Sequence, residues 1–180
     1  YTKRASHLKL GNAPSMNTRP HLLDQDIIFV GGGNTMHMLR VWHEHGVDIA
    51  LRDACDAGVV LAGISAGSIC WFEWGLTDSI PGQMTPIKCL GFIPGGNCIH
   101  YDGEAERRPG FQREIAGGWP AGVATDDGVA LHYRDDRLFR VVSSHPDARA
   151  YTVASRTGIA YEREVVPEEA GLGALVPPNQ

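Results

Sequence analysis

One short run leaves the backbone around it few choices: Gly63-Ile64-Ser65-Ala66-Gly67, entered from the apolar stretch Gly58–Ile64 and followed by a helical pattern. A G-x-S-x-G run at a strand-to-helix junction puts its serine on a tight, strained turn. Such a turn needs small residues on both sides. The helix that opens behind the serine points unpaired N–H groups toward it, which suits a developing oxyanion. Serine is also a good helix N-cap. With an apolar strand before it and a helix after it, the nucleophile is the stronger reading of Ser65.

The rest of the chain supplies a frame for that turn. A short strand is expected at His7–Leu10. Asp26–Val30 reads as a compact strand running into Gly31-Gly32-Gly33-Asn34-Thr35, and Met36 and Leu39 then recur at helical spacing toward Gly46. A second helix is predicted from about Asp48 to Ala57, stopped by Gly58. The order strand, helix, helix, strand, helix implies a parallel sheet covered by helices. The helix after Ser65 is expected to carry Ile69, Cys70 and Phe72. Gly75–Gly96, with several Pro and Gly, reads as a loop, and Arg107–Ala116 as a helix. The period then changes to two, and strands are predicted at Gly122–Thr125, Val129–Tyr133, Leu138–Ser143, Tyr151–Ala154 and Ile159–Val165. The fold class is α/β with an antiparallel C-terminal portion. It is read as one domain over residues 1–166 and a Pro/Gly-rich, poorly ordered tail over 167–180.

Composition sets limits on partners. A net charge of −5 with no Lys/Arg block argues against nucleic acid. No apolar run reaches the length of a membrane span. Cys55, Cys70, Cys89 and Cys98 form no C-x-x-C pair, so free thiols in a reducing, cytoplasmic setting are expected.

A serine nucleophile needs a base and a group to orient it. Of the eight histidines, His37, His43 and His45 fall on or beside a surface helix. His43-Glu44-His45 lacks the H-E-x-x-H spacing of a zinc site, so no metal is expected. His100 ends the apolar piece Cys98-Ile99-His100 at a strand end, where catalytic groups of open α/β sheets gather. The same position also suits a structural histidine. Acid candidates are Asp102, Glu104, Asp126 and Asp127, although composition alone favours a hairpin turn at Asp126-Asp127-Gly128. The glycine run at Gly31–Gly33 departs from G-x-G-x-x-G at Met36 and is not followed by G-K-[ST]. An oxyanion site or a simple capped turn therefore fits it better than a phosphate cradle.

Taken in order, Asp26–Thr35, Gly63–Ser68, His100-Tyr101-Asp102 with Glu106-Arg107-Arg108, and Asp126–Leu131 resemble the successive motifs of the peptidase E (aspartyl dipeptidase) family, with cyanophycinase a more distant relative. The resemblance spans about residues 22–165. It implies a flavodoxin-like fold related to class I glutamine amidotransferases, whose elbow residue is cysteine where this chain has Ser65. It implies Ser65 as nucleophile, His100 as general base and Asp127 as the third member, with Asp126 the alternative because better-known members carry glutamate. It also implies oxyanion donors at Gly32, Gly33 and Ala66, and substrate contacts at Asn34 and Arg108. The expected activity is that of a serine exopeptidase without cofactor, acting on small peptides with an acidic N-terminal residue; a homodimer is left open. Rival readings are another acyl hydrolase on this scaffold (an esterase or a cyanophycinase-like peptidase) or a catalytically silent binding module. Members of the family usually have a further strand and helix before the region matching Tyr1. Without that strand, which would lie inside the sheet, apolar faces and an unpaired edge are expected, unless a longer polypeptide or a partner chain covers them.

Overall fold

Strand formation begins where the sequence turns apolar. The computed structural model describes residues 4–8, 10 and 18–165, and within them Ile27–Val30 forms β1 after a short helix, α1 (Thr18–Leu23). Two amphipathic helices follow, α2 (Thr35–Glu44) and α3 (Val47–Asp56), and the chain then returns as β2 (Val60–Gly63), parallel to β1 with Ile27 opposite Val60. Asn34 caps α2, its Oδ1 accepting from the His37 N–H. Gly46, in the left-handed region at φ 67°, makes the break between the two helices.

The turn at Ser65 leads into a single helical turn, α4 (Ala66–Ile69), and then directly into strand. Here the structure departs from two expectations. The helix ends before Phe72. The stretch read as loop is largely β: β3 (Phe72–Ile80), β4 (Gln83–Lys88) and β5 (Ile93–Cys98). The Pro and Gly residues that suggested a loop sit where a sheet tolerates them. Gly82 has positive φ in the β3–β4 turn, and Pro86 lies on β4, the edge strand of its sheet. The pairs β3·β5 and β5·β6 (Gly122–Thr125) are parallel.

Helix α5 spans Arg107–Ala116, as predicted. The C-terminal strands are also close to expectation: β7 (Val129–Arg134), β8 (Arg137–Ser143), β9 (Ala150–Arg156) and β10 (Ile159–Val165). The resulting six-stranded sheet has the order β10-β9-β6-β5-β3-β4, parallel at its centre, while β1–β2 and β7–β8 pair separately. The fold is thus mixed α/β with parallel strands at its centre, hydrogen-bonded as three sheets among the described residues. His7, Leu8 and Leu10 are irregular, although Leu8 and Leu10 still pack on the core. The tail expected at 167–180 lies outside the described residues.

Two main cores hold the layers. Trp42, Leu51, Trp71, Phe72 and Val123 form one between helices and sheet, and Leu76, Phe111, Ile115, Ala124 and Val153 form the other under α5. By contrast, one face of β1–β2 exposes Ile27, Phe29 and Val60 (61%, 66% and 57%), and β1 has β2 as its one paired neighbour among the described residues.

Candidate active site

The glycines of the Ser65 turn are fixed by contact distances. A Cβ on Gly63 would lie 2.1 Å from the Gly67 carbonyl oxygen, and a Cβ on Gly67 would lie 2.2 Å from that of Val30. No side chain fits at either place. Ser65 itself adopts φ 56°, ψ −121°, a region non-glycine residues rarely enter. Its side chain makes no cap hydrogen bond with α4, so the N-cap role that competed with the nucleophile is not in use.

Ser65 Oγ lies 3.4 Å from His100 Nε2. On the other side of the ring, His100 Nδ1 is hydrogen-bonded to Asp127 Oδ1. A carboxylate at Nδ1 favours the tautomer with its proton on that nitrogen, which leaves Nε2 free to accept from the serine hydroxyl. His100 also has positive φ (55°), which it shares with Ser65 and two hairpin-turn residues, Asp135 and Thr157, among described non-glycine residues. Backbone held in a sparse region at two facing functional groups points to a site built for that geometry.

The two neighbouring acids differ. Asp126 is 8% exposed and its Oδ2 accepts from the Arg149 N–H; burial raises its pKa, with the Arg149 hydrogen bond opposing. Asp127 has a side chain 60% exposed and turned to the histidine. The structure therefore brings Ser65, His100 and Asp127 into line, while the Asp126 carboxylate is engaged by Arg149.

Gly32 packs against the serine: a Cβ there would sit 3.2 Å from Ser65 Cβ and 3.6 Å from Oγ. The adjoining Gly33 has φ 148°, which favours glycine. Ala66 opens α4, so its N–H belongs to the first turn, where no carbonyl of the same helix is available. Asn34 is already busy: besides capping α2, its Nδ2 donates to the Ser79 carbonyl at 2.8 Å. Ser79 Oγ accepts from Met36 N–H, and Thr77 bonds both Ser79 and Thr35. The β3–β4 hairpin, read from sequence as loop, thus holds the start of α2, directly after the glycine run. Its buried anchor is Arg107, whose guanidinium bonds both oxygens of Glu104, Asp78 and the Leu76 carbonyl. This ties the hairpin to the segment just after His100.

Arg108, expected to contact substrate, is paired with Glu162 and lies over the Tyr101 and Tyr151 rings. Gln112 and the Tyr101 hydroxyl also donate to Glu162. Nothing in the sequence linked Glu162 to this cluster, 54 residues away on β10. The four cysteines are free. Burial pushes the Cys89 and Cys98 thiols up to about 12 and Cys70 higher still, so none of these three is a ready thiolate. Among the described residues no cluster of His, Cys, Asp and Glu is placed to hold a metal, and no helix is long and apolar enough to cross a membrane.

A mixed α/β fold that sets a serine on a strained strand-to-helix turn, in line with a histidine and a carboxylate, has the layout of an α/β serine hydrolase. The model of peptidase family S51 matches residues 3–141, and the chain belongs to that family. It is similar to an uncharacterized peptidase of Bacillus subtilis, YgaJ, with 50% identity over 149 residues, covering 82% of this chain and 64% of the relative. It is also similar to peptidase E of Shewanella amazonensis, at 29% identity over 67% of this chain and 55% of that protein. A solved structure from Listeria monocytogenes EGD-e, assigned provisionally to peptidase E, overlays with TM-score 0.43 at 15% identity, covering 83% of this chain and 64% of the other. The chain thus spans slightly under two thirds of the Bacillus relative and just over half of the Shewanella one.

Proposed function

We propose that this chain carries the catalytic site of a serine exopeptidase of the peptidase E type. The observation that supports this best is the relay from Ser65 Oγ through His100 to Asp127. In this reading His100 Nε2 takes the hydroxyl proton as Oγ bonds the scissile carbonyl carbon. The carbonyl oxygen becomes an oxyanion facing the amides of Gly32, Gly33 and Ala66. Asp127 stabilises the imidazolium. His100 then gives the proton to the leaving amine, the C–N bond breaks, and an acyl-Ser65 remains. Water attacks the acyl carbon and passes a proton to His100; the acyl carbon–Oγ bond then breaks, the carboxylic acid product leaves, and the proton returned by His100 restores the serine hydroxyl.

Preference for an N-terminal acidic residue belongs to the same proposal, with Arg108 as its reader. A guanidinium matches a carboxylate bidentately, and the Arg108–Glu162 pair shows this arginine engaging one. A substrate carboxylate would have to compete with Glu162 for this arginine. Asn34 enters this reading as a residue that shapes the loop facing the substrate.

The test is hydrolysis of paired dipeptides, Asp-Xaa and Ala-Xaa, by the chain and by Ser65→Ala. The variant should lose about 10⁴-fold or more in kcat while keeping its thermal midpoint. Near-normal turnover by a folded Ser65→Ala would overturn the serine mechanism. Equal cleavage of the two dipeptides would overturn the acidic preference alone.

A further inference from the structure

An exposed aspartate in a turn has little to hold it. Asp127 lies between β6 and β7 with most of its side chain in solvent, yet its place in the relay needs one rotamer and one backbone position. The contacts that fix it come from one short loop. Asp102 Oδ1 accepts the Asp127 N–H at 3.0 Å. Two residues earlier, the His100 Nδ1–H donates to the Asp127 carboxylate. Just after Asp102, Gly103 lies so close that a Cβ there would sit 3.3 Å from Asp127 Oδ2. The loop is itself rigid. The Gly103 and Glu104 N–H groups both bond the His100 carbonyl, and Glu104 is held by buried Arg107. The two loops are therefore linked twice in opposite senses, a side chain on one reaching the acid's carboxylate and a second reaching its amide.

We propose that Asp102 is a positioning residue for this site: its carboxylate oxygen holds the Asp127 backbone so that the Asp127 carboxylate stays on His100. This rests on the serine-hydrolase reading above. Asp102 needs only an acceptor oxygen for the role, not a charge. An asparagine can keep the bond; an alanine cannot.

The experiment is saturation kinetics of Ser65 labelling by a fluorophosphonate probe, giving a maximal inactivation rate and a half-saturating probe concentration for the wild type, Asp102→Ala and Asp102→Asn. Misplacement of a catalytic group by about 1 Å can lower a rate on the order of a hundredfold. Asp102→Ala should therefore lose about ten- to a hundredfold in maximal rate, with half-saturation unchanged. Asp102→Asn should stay within about threefold of the wild type, and both variants should keep the wild-type thermal midpoint, since the side chain is exposed. If the two variants lose rate equally, the charge matters and the positioning proposal is wrong. It is equally wrong if neither loses rate, or if only half-saturation changes, which would make Asp102 a group that binds the probe. If the wild type does not label at Ser65, the hydrolase reading itself fails and the proposal falls with it.

Discussion

At the scale of single residues, the site is a set of steric and hydrogen-bonding constraints with few free choices. Gly63 and Gly67 were legible from the motif because the turn they form has one sterically allowed composition. The contact distances confirm why: each Cβ would overlap a backbone carbonyl. Gly63→Ala should therefore destabilise the fold by more than about 1–3 kcal/mol, the usual range for overpacking, because the obstruction is backbone rather than a side chain that can swing away. A denaturant midpoint equal to wild type would contradict this. The choice between Asp126 and Asp127 was not legible, since adjacent acids in a turn look alike in sequence; burial and the Arg149 amide separate them. Asp127→Asn should lower kcat on the order of 10²–10⁴-fold by weakening tautomer control, with little change in melting. Asp126→Asn should show the reverse balance, and kinetics and melts on both variants decide it. The roles of Asp102 and Ser79 were invisible for a different reason: each acts on a backbone group whose position only the folded chain defines.

At the scale of elements, local pattern worked where burial is periodic and failed where glycine and proline interrupt it. Helix α5 and strands β6 to β10 fall within a residue or two of expectation, and β7 in particular shows the half-buried alternation of a two-residue period. The β3–β4 hairpin was hidden by Pro81, Gly82 and Pro86, although this hairpin braces the start of α2 just after the glycine run. Helix α5 is joined to β10 by the bonds of Arg108 and Gln112 with Glu162, and Tyr101, before the helix, donates to the same carboxylate. Burial alone would raise the Glu162 pKa, but hydrogen bonds from Arg108, Gln112 and Tyr101 outweigh it, and the net shift is downward. A carboxyl with a folded pKa below its unfolded value adds stability that is present above the unfolded value and lost as pH falls through the folded one. Melts of the wild type should thus lose stability from near pH 4.5 downward in part through this group. Glu162→Gln should be less stable at neutral pH and show a shallower acid slope. Parallel curves for the two proteins across that range would remove Glu162 from the account.

At the scale of the whole molecule, the order of motifs along the chain was enough to name the family, and the match over residues 3–141 agrees. What the order could not reveal was the division into separately paired sheets, because pairing depends on which edges meet in space. The exposed row Ile27, Phe29 and Val60 belongs to that level as well. The central claim is that the folded chain activates Ser65, and a fluorophosphonate tests it most directly. Free serine is nearly inert to such a probe, and an elbow serine paired with a histidine is not. Peptide mapping of the labelled, folded chain should place the phosphonyl adduct on Ser65, with no adduct on the heat-denatured chain or on Ser65→Ala. A folded chain that stays unmodified at Ser65, or is modified as readily at other serines, would contradict it.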